Sequence, residues 1–166
     1  MNDDAITLEA TVEGPPPSMG SKRGFVNPRT GAAIIVDHNV MGLRQWQDAM
    51  RHEMRKAIGA VPPDQRPWFA SVSVILARPR SHFTKKGART KGAPELPTVK
   101  PDPDKIARAV FDCGSGIWWQ DDKQIVSFAV RKRYADQEGA VPGVTISAGS
   151  LARGYGAKLY FLSEKL

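Results

Sequence analysis

Apolar and polar residues alternate over Ile6-Thr-Leu-Glu-Ala-Thr-Val-Glu13, the period-2 pattern of a strand with one face in a core. Gly14 and the prolines at 15–17 end it, because proline supplies no ladder donor. Turn chemistry follows in Ser21-Lys22-Arg23-Gly24 and Asn27-Pro28-Arg29-Thr30-Gly31, and 33–36 (Ala-Ile-Ile-Val) predicts a second short strand. Over 43–58 the period changes: Leu43, Trp46, Ala49, Met50, Met54, Ala57 and Ile58 recur three and four apart, with Gly59 as a stop. That spacing predicts an amphipathic helix. The β-branched and aromatic run at 68–77 predicts a central strand, expected to pair with the first. A helix over 104–113, a strand over 124–133 and strands at 144–148 and 158–162 complete the pattern. Together they predict one α+β domain spanning 1–166, a mixed, mostly antiparallel sheet with two main helices packed on it.

The stretch 78–100 breaks this patterning. It carries Arg78, Arg80, Lys85, Lys86, Arg89, Lys91 and Lys100 against one acid, Glu95, with Gly and Pro throughout, and predicts a long exposed loop. The whole 166-residue chain has a net charge of +7 and a pI near 9.8. Such an excess favours a polyanionic partner, either nucleic acid or an anionic membrane surface. No run approaches the roughly 18 apolar residues of a membrane span, and Met1-Asn2-Asp3-Asp4 is not the start of a signal peptide. A cytosolic location without membrane attachment is expected. Cys113 is the single cysteine, which excludes an intrachain disulfide and a thiolate zinc cage and predicts a buried structural thiol. His38, His52 and His82 show no ligand spacing, so only carboxylates are clustered.

Those carboxylates lie in Lys100-Pro-Asp-Pro-Asp-Lys-Ile-Ala-Arg-Ala-Val-Phe-Asp112 and, nine residues on, in Asp121-Asp122. Pro101 and Pro103 restrict the backbone, so Asp102 is expected to be extended, with Asp104 projecting to the same side. Two carboxylates about 5 Å apart repel by on the order of 3 kcal/mol at an effective dielectric near 20. Oxygen ligands with no nearby His or Cys suit Mg²⁺ or Mn²⁺, the apparatus of phosphodiester hydrolysis. Two plainer roles are open: Asp104 as a helix N-cap, and Asp121-Asp122 as a turn opening the next strand. Strand neighbours point to opposite faces, so the residues alone do not choose between Asp121 and Asp122 as a ligand.

The pattern Pro-Asp-x-Asp, a basic residue four positions on, an apolar helix ending near Asp112 and Asp-Asp-x-Gln-Ile opening a strand resembles the RusA family of Holliday junction resolvases, many of them phage-encoded. Arg-Pro-Arg-Ser-His at 78–82 and Lys-Arg-Tyr at 132–134 extend the resemblance, which covers most of 6–134. It implies a homodimeric Mg²⁺-dependent endonuclease with no small-molecule cofactor. Two sites would cut paired strands of a four-way DNA junction, with Asp102, Asp104 and Asp122 as catalytic metal ligands and Asp121 in support. Arg108 stands where the family usually carries lysine near the scissile phosphate; it keeps the charge but cannot give up a proton. Lys105 stands where Asn commonly follows the second Asp. Both also suit a solvated helix face.

DNA contacts are expected from Lys22, Arg23, Arg78, Arg80, His82, Lys85, Lys86, Arg89, Lys91 and Lys105, since each phosphate neutralised adds to salt-dependent binding. His82 and Phe83 could wedge at an unpaired base, or Phe83 could anchor the loop on its own domain. Trp118 and Trp119 are expected in the core and in dimer contacts. Gly14-Pro-Pro-Pro-Ser-Met-Gly20-Ser-Lys22 is not a phosphate-binding P-loop, because the glycine spacing is wrong and the prolines remove amide donors. The rival functions are a flap or fork nuclease and a non-catalytic junction-binding protein.

Overall fold

A computed structural model describes residues 6–16, 23–36, 40–136 and 140–150. In chain order the elements are β1 (Ile6–Glu13), β2 (Arg23–Val26), β3 (Ala33–Val36), α1 (Val40–Ile58), β4 (Trp68–Leu76), α2 (Pro103–Gly114), β5 (Ile125–Tyr134) and β6 (Gly143–Ser150). Single 3₁₀ turns form at Arg80–His82 and Asp122–Gln124. The strand expected at 158–162 lies outside the described residues.

Four strands form one sheet in the order β1-β6-β4-β5. β6 runs antiparallel to both neighbours, while β4 and β5 are parallel and joined by a connection that carries α2. The expected β1–β4 pairing is therefore corrected, since β6 inserts between them. β6 is suited to that place by its small residues: a Cβ on Gly143 would stand 2.7 Å from the Val12 carbonyl oxygen. The second correction is β2, which occupies part of what the sequence presents as turn. Gly31 at φ 68° donates to the Asn27 carbonyl, and the Asn27 side chain accepts from the Arg29 amide. So compact a turn leaves Arg23–Val26 to pair with Ala33–Val36.

One face of the sheet is apolar and covered. Trp68, Ala70, Val72, Val74 and Leu76 alternate into it from β4, Val144, Ile146 and Ala148 from β6, and Leu8 and Ala10 from β1. α1 lies over β1 through Trp46, Met50 and Met54; α2 lies against α1 and β5 through Ile106, Ala109, Val110 and Phe111. Cys113 is fully buried, and burial pushes its thiol up to about 12, as a structural thiol requires.

After α2 the chain turns through Gly116 at φ 76°, and Trp118 and Trp119 plug the corner. Trp118 Nε1 donates to the Met54 carbonyl at 2.8 Å and Trp119 Nε1 to the Phe111 carbonyl at 3.3 Å. The Trp119 ring meets Trp68, Phe111 and Trp118 edge-on and lies where a Cβ on Gly114 would stand, 2.3 Å away. Both tryptophans have no exposed surface, so the expected role in dimer contacts is corrected to a core role alone.

Candidate active site and nucleic-acid interface

α2 starts at Pro103 because proline needs no amide partner in a first helical turn. Asp102 is the N-cap, extended at φ −72° and ψ 134° as the prolines require, but its side chain makes no capping bond. Asp104 is already helical, in the first turn, so the expected alternation of an extended segment does not apply to the pair. The two carboxylates share the N-terminal end of α2, whose dipole favours negative charge. Lys105 Nζ stands 3.1 Å from the Asp102 carboxylate, and Arg108, exposed, lies one turn beyond Asp104, about 6 Å along the axis. Among the described residues neither the Asp104 nor the Arg108 side chain has a hydrogen bond or ion pair, and Lys105 faces an acid rather than open solvent.

Lys132 supports this corner from β5, donating to the Val99 carbonyl at 2.7 Å and to the Pro101 carbonyl at 3.1 Å. Its ammonium thereby ties the segment just before Asp102 to the end of the sheet. Lys132→Met is expected to cost the fold about 2 kcal/mol through loss of two charged hydrogen bonds. Thermal unfolding checks it, and Lys132→Arg should recover most of the loss.

Asp121 and Asp122 sit at the opposite end. Asp121 caps the 3₁₀ turn: it accepts from the Lys123 amide at 3.0 Å, while the Gln124 side-chain oxygen accepts from the Asp121 amide. The bond from the Lys123 amide, helped by the Lys123 ammonium, holds the Asp121 carboxyl below its ordinary range. Gln124 also donates to the Asp64 and Arg66 carbonyls, fixing the turn on the residues before β4. Asp121 thus fills the turn role, and Asp122 is left exposed beside it.

The two acidic pairs are separated by the whole of α2, 12 residues and about 18 Å. β5 gives the same answer independently: Asp122 precedes Ile125, whereas Lys132, seven positions and about 23 Å further on, reaches the segment before Asp102. Among the described residues no three His, Cys, Asp or Glu side chains are close enough to hold a metal ion. Asp102, Asp104 and Asp122 do not converge within one chain. As donors for a hard cation the α2 aspartates fit in kind, but a single chain leaves the set incomplete.

The basic loop is more built than its composition suggests. Thr84 and Gly87 close a tight turn, with Gly87 at φ 85°, and Phe83 bridges Arg89 across it, so Lys85 and Lys86 project at the tip. Arg80, Lys85, Lys86, Arg89 and Lys91 are exposed, with Arg89 also donating to the Ala93 carbonyl. Arg78 is withdrawn from the expected DNA contacts: its side chain is only 3% exposed. It ion-pairs with Asp136, donates to the Pro94 carbonyl at 2.7 Å and lies 4.1 Å over the Tyr134 ring. The Asp136 carboxylate holds the Arg78 guanidinium above its ordinary pKa and is itself held below its own. His82 meets the Tyr134 ring edge-on at 5.7 Å, which removes it as a base wedge. Lys22 lies outside the described residues, and Arg23 is placed in β2 without a described side chain.

Beside Pro101 an apolar cleft of about 620 Å³ opens at the end of the sheet, walled by Pro16, Leu76, Pro79, Val99, Tyr134 and Val141. The profile of the family "Endodeoxyribonuclease RusA" matches residues 15–147, nearly everything from the end of β1 into β6. The chain belongs to the RusA endodeoxyribonuclease family. Among curated proteins no match to it emerged. RusA membership makes DNA cutting the activity to which the two acidic pairs and the basic loop are to be related, and the two-helix, mixed-sheet α+β architecture agrees with it. No helix among the described residues is long and apolar enough to cross a membrane.

Proposed function

We propose that this RusA protein is a Mg²⁺-dependent (or Mn²⁺-dependent) endonuclease that resolves four-way DNA junctions by paired cuts, acting as a homodimer in the bacterial cytosol. The observation that carries it is the placement of the acidic pairs at opposite ends of α2. Each site needs carboxylates from two chains: Asp102 and Asp104 of one protomer, and Asp122 of its partner, with Asp121 supporting the turn. A two-fold dimer then holds two such sites, matching the two symmetry-related strands of a junction.

Mg²⁺ bound there supplies a Lewis acid for phosphodiester hydrolysis. The residues of the chain do the rest. Asp104, exposed and without an ion-pair partner among the described residues, offers its carboxylate. Arg108, on the same helix face, holds a phosphate by its guanidinium fork without giving up a proton. Lys105 neutralises Asp102 and would be within reach of a phosphate at the start of α2. The tip Lys85-Lys86, with Arg80, Arg89 and Lys91, provides a cationic surface for the duplex arms.

Labelled four-way junction, flap, fork and linear duplex incubated with the protein and Mg²⁺ test the reading. Paired nicks on the junction, at least about tenfold faster than cuts in the others, are expected. Preferential cutting of flaps or forks would replace junction resolution with the branched-DNA alternative. Binding without cutting under Mg²⁺ or Mn²⁺ would leave a junction-binding protein.

A further inference from the structure

We infer that the apolar cleft beside Pro101 receives one unstacked nucleobase of the DNA substrate, the base next to the cut phosphate, and that Tyr134 is the residue that reads it. The inference rests on the reading of Asp102 and Asp104 as the cutting residues given above. The cleft's volume of about 620 Å³ lies in the range of small-molecule sites. Its walls are nearly all apolar, and Pro16, Pro79 and Pro101 present rings that carry no amide donor. Val99 and Val141, which also line it, are 52% and 50% exposed and form its mouth. Tyr134 supplies the polar feature. Its side chain lines the cleft and is only 4% exposed, yet its hydroxyl has no hydrogen-bond partner among the described residues. Buried hydroxyls are nearly always paired, so this one is left for a group that enters the cleft. The ring is held in place: the Arg78 guanidinium covers one face at 4.1 Å, and His82 meets it edge-on. Lys132 fixes another wall through the Val99 and Pro101 carbonyls, so the cleft is built before any ligand arrives.

Charge and position name the occupant. The wall runs from Pro101 directly into Asp102, the N-cap of α2, and exposed Lys100 stands at its rim. A strand whose phosphate is drawn to the start of α2 by Lys100 and Lys105 brings the base beside that phosphate to the cleft. A flat heteroaromatic ring suits proline and tyrosine walls, and its polar edge suits one hydroxyl. A peptide segment would fit the same walls but leaves the adjoining cations without a role. Taking a base out of its stack is costly in a closed duplex and least so where pairing is already broken. A base-accepting cleft next to the cutting residues therefore favours branch points over continuous duplex.

The fluorescent base 2-aminopurine, which brightens on unstacking, tests the cleft when placed in turn at each position flanking the branch of a four-way junction. Binding without metal, so that no strand is cut, is expected to raise its fluorescence at least about threefold at one position. Val99→Phe/Val141→Phe, which crowds the mouth from two exposed sites, should abolish that rise while junction affinity stays within about fivefold. Val141→Phe alone gives the same reading with a smaller change if the double variant does not fold. Tyr134→Phe keeps the ring and removes only the hydroxyl. With Mg²⁺, the wild type should cut junctions carrying each of the four natural bases at that position with rates that differ by about tenfold or more, and Tyr134→Phe with rates within about twofold. A hydroxyl with only a structural role would leave the preference intact, and that result would overturn the reading role of Tyr134. No rise at any position, or a rise that survives the crowded mouth, would overturn the cleft as a base site, while junction cutting by the wild type would still stand. If the crowded variant keeps the rise and also melts at least about 5 °C lower, a protein segment fills the cleft instead. A rise without cutting under Mg²⁺ or Mn²⁺ would keep the base site and overturn the nuclease reading alone.

Discussion

Asp104→Asn is expected to lower junction cutting at least about 10³-fold, a loss of ~4 kcal/mol of transition-state stabilisation, with DNA affinity nearly unchanged. The side chain is exposed at the first turn of α2 and makes no ion pair among the described residues, so its amide costs the fold almost nothing. Asp122→Asn should be comparably inactive, for a carboxylate at the far end of the same helix. The informative experiment mixes the two inactive proteins. If each site draws Asp102 and Asp104 from one chain and Asp122 from the other, half of the exchanged dimers hold one intact site, and nicking should return to about a quarter of the wild-type rate. If all three aspartates served one chain, every site in every dimer would carry a lesion and the mixture would stay inactive. Single-turnover nicking of a labelled junction, after prolonged co-incubation to allow exchange, separates the two outcomes. Absence of recovery, with exchange shown independently, would sink the two-chain site.

Trp119→Ala is expected to have the largest effect on stability, about 3–5 kcal/mol. The ring is fully buried, meets three other aromatic rings edge-on and fills the space that Gly114 keeps open. Its indole N–H donates to the Phe111 carbonyl, so truncation leaves a cavity and removes that hydrogen bond, while the carbonyl keeps those from Ser115. Against a typical total of about 5–15 kcal/mol, that loss should lower the melting temperature by about 10 °C or more. Thermal unfolding followed by circular dichroism checks it. Phe128→Ala, on a ring more than half exposed, should shift the monomer's melting far less. A Trp119→Ala protein that melts within about 2 °C of the wild type would contradict the corner's place in the core.

The sequence by itself determined what local chemistry can determine. Alternation set β1 to its observed ends, the three-and-four spacing set all but the first turn of α1, and proline at N1 with an apolar face set α2. It also separated the acidic pairs from the basic loop and, through the Pro-Asp-x-Asp and Asp-Asp-x-Gln-Ile patterns, pointed to the family that residues 15–147 match. What escaped it depends on partners distant in the chain. That β6 separates β1 from β4 follows from small residues packing against strands more than 60 positions away, which no short window can register. The same holds for Arg78: by composition one more loop cation, it is spent on Asp136, 58 residues later. The aspartates show the limit most clearly. The motifs singled them out, but α2, lying between them as a rigid spacer, puts Asp102 and Asp104 at one end and Asp122 at the other. Only the tertiary structure could place the two acidic pairs apart.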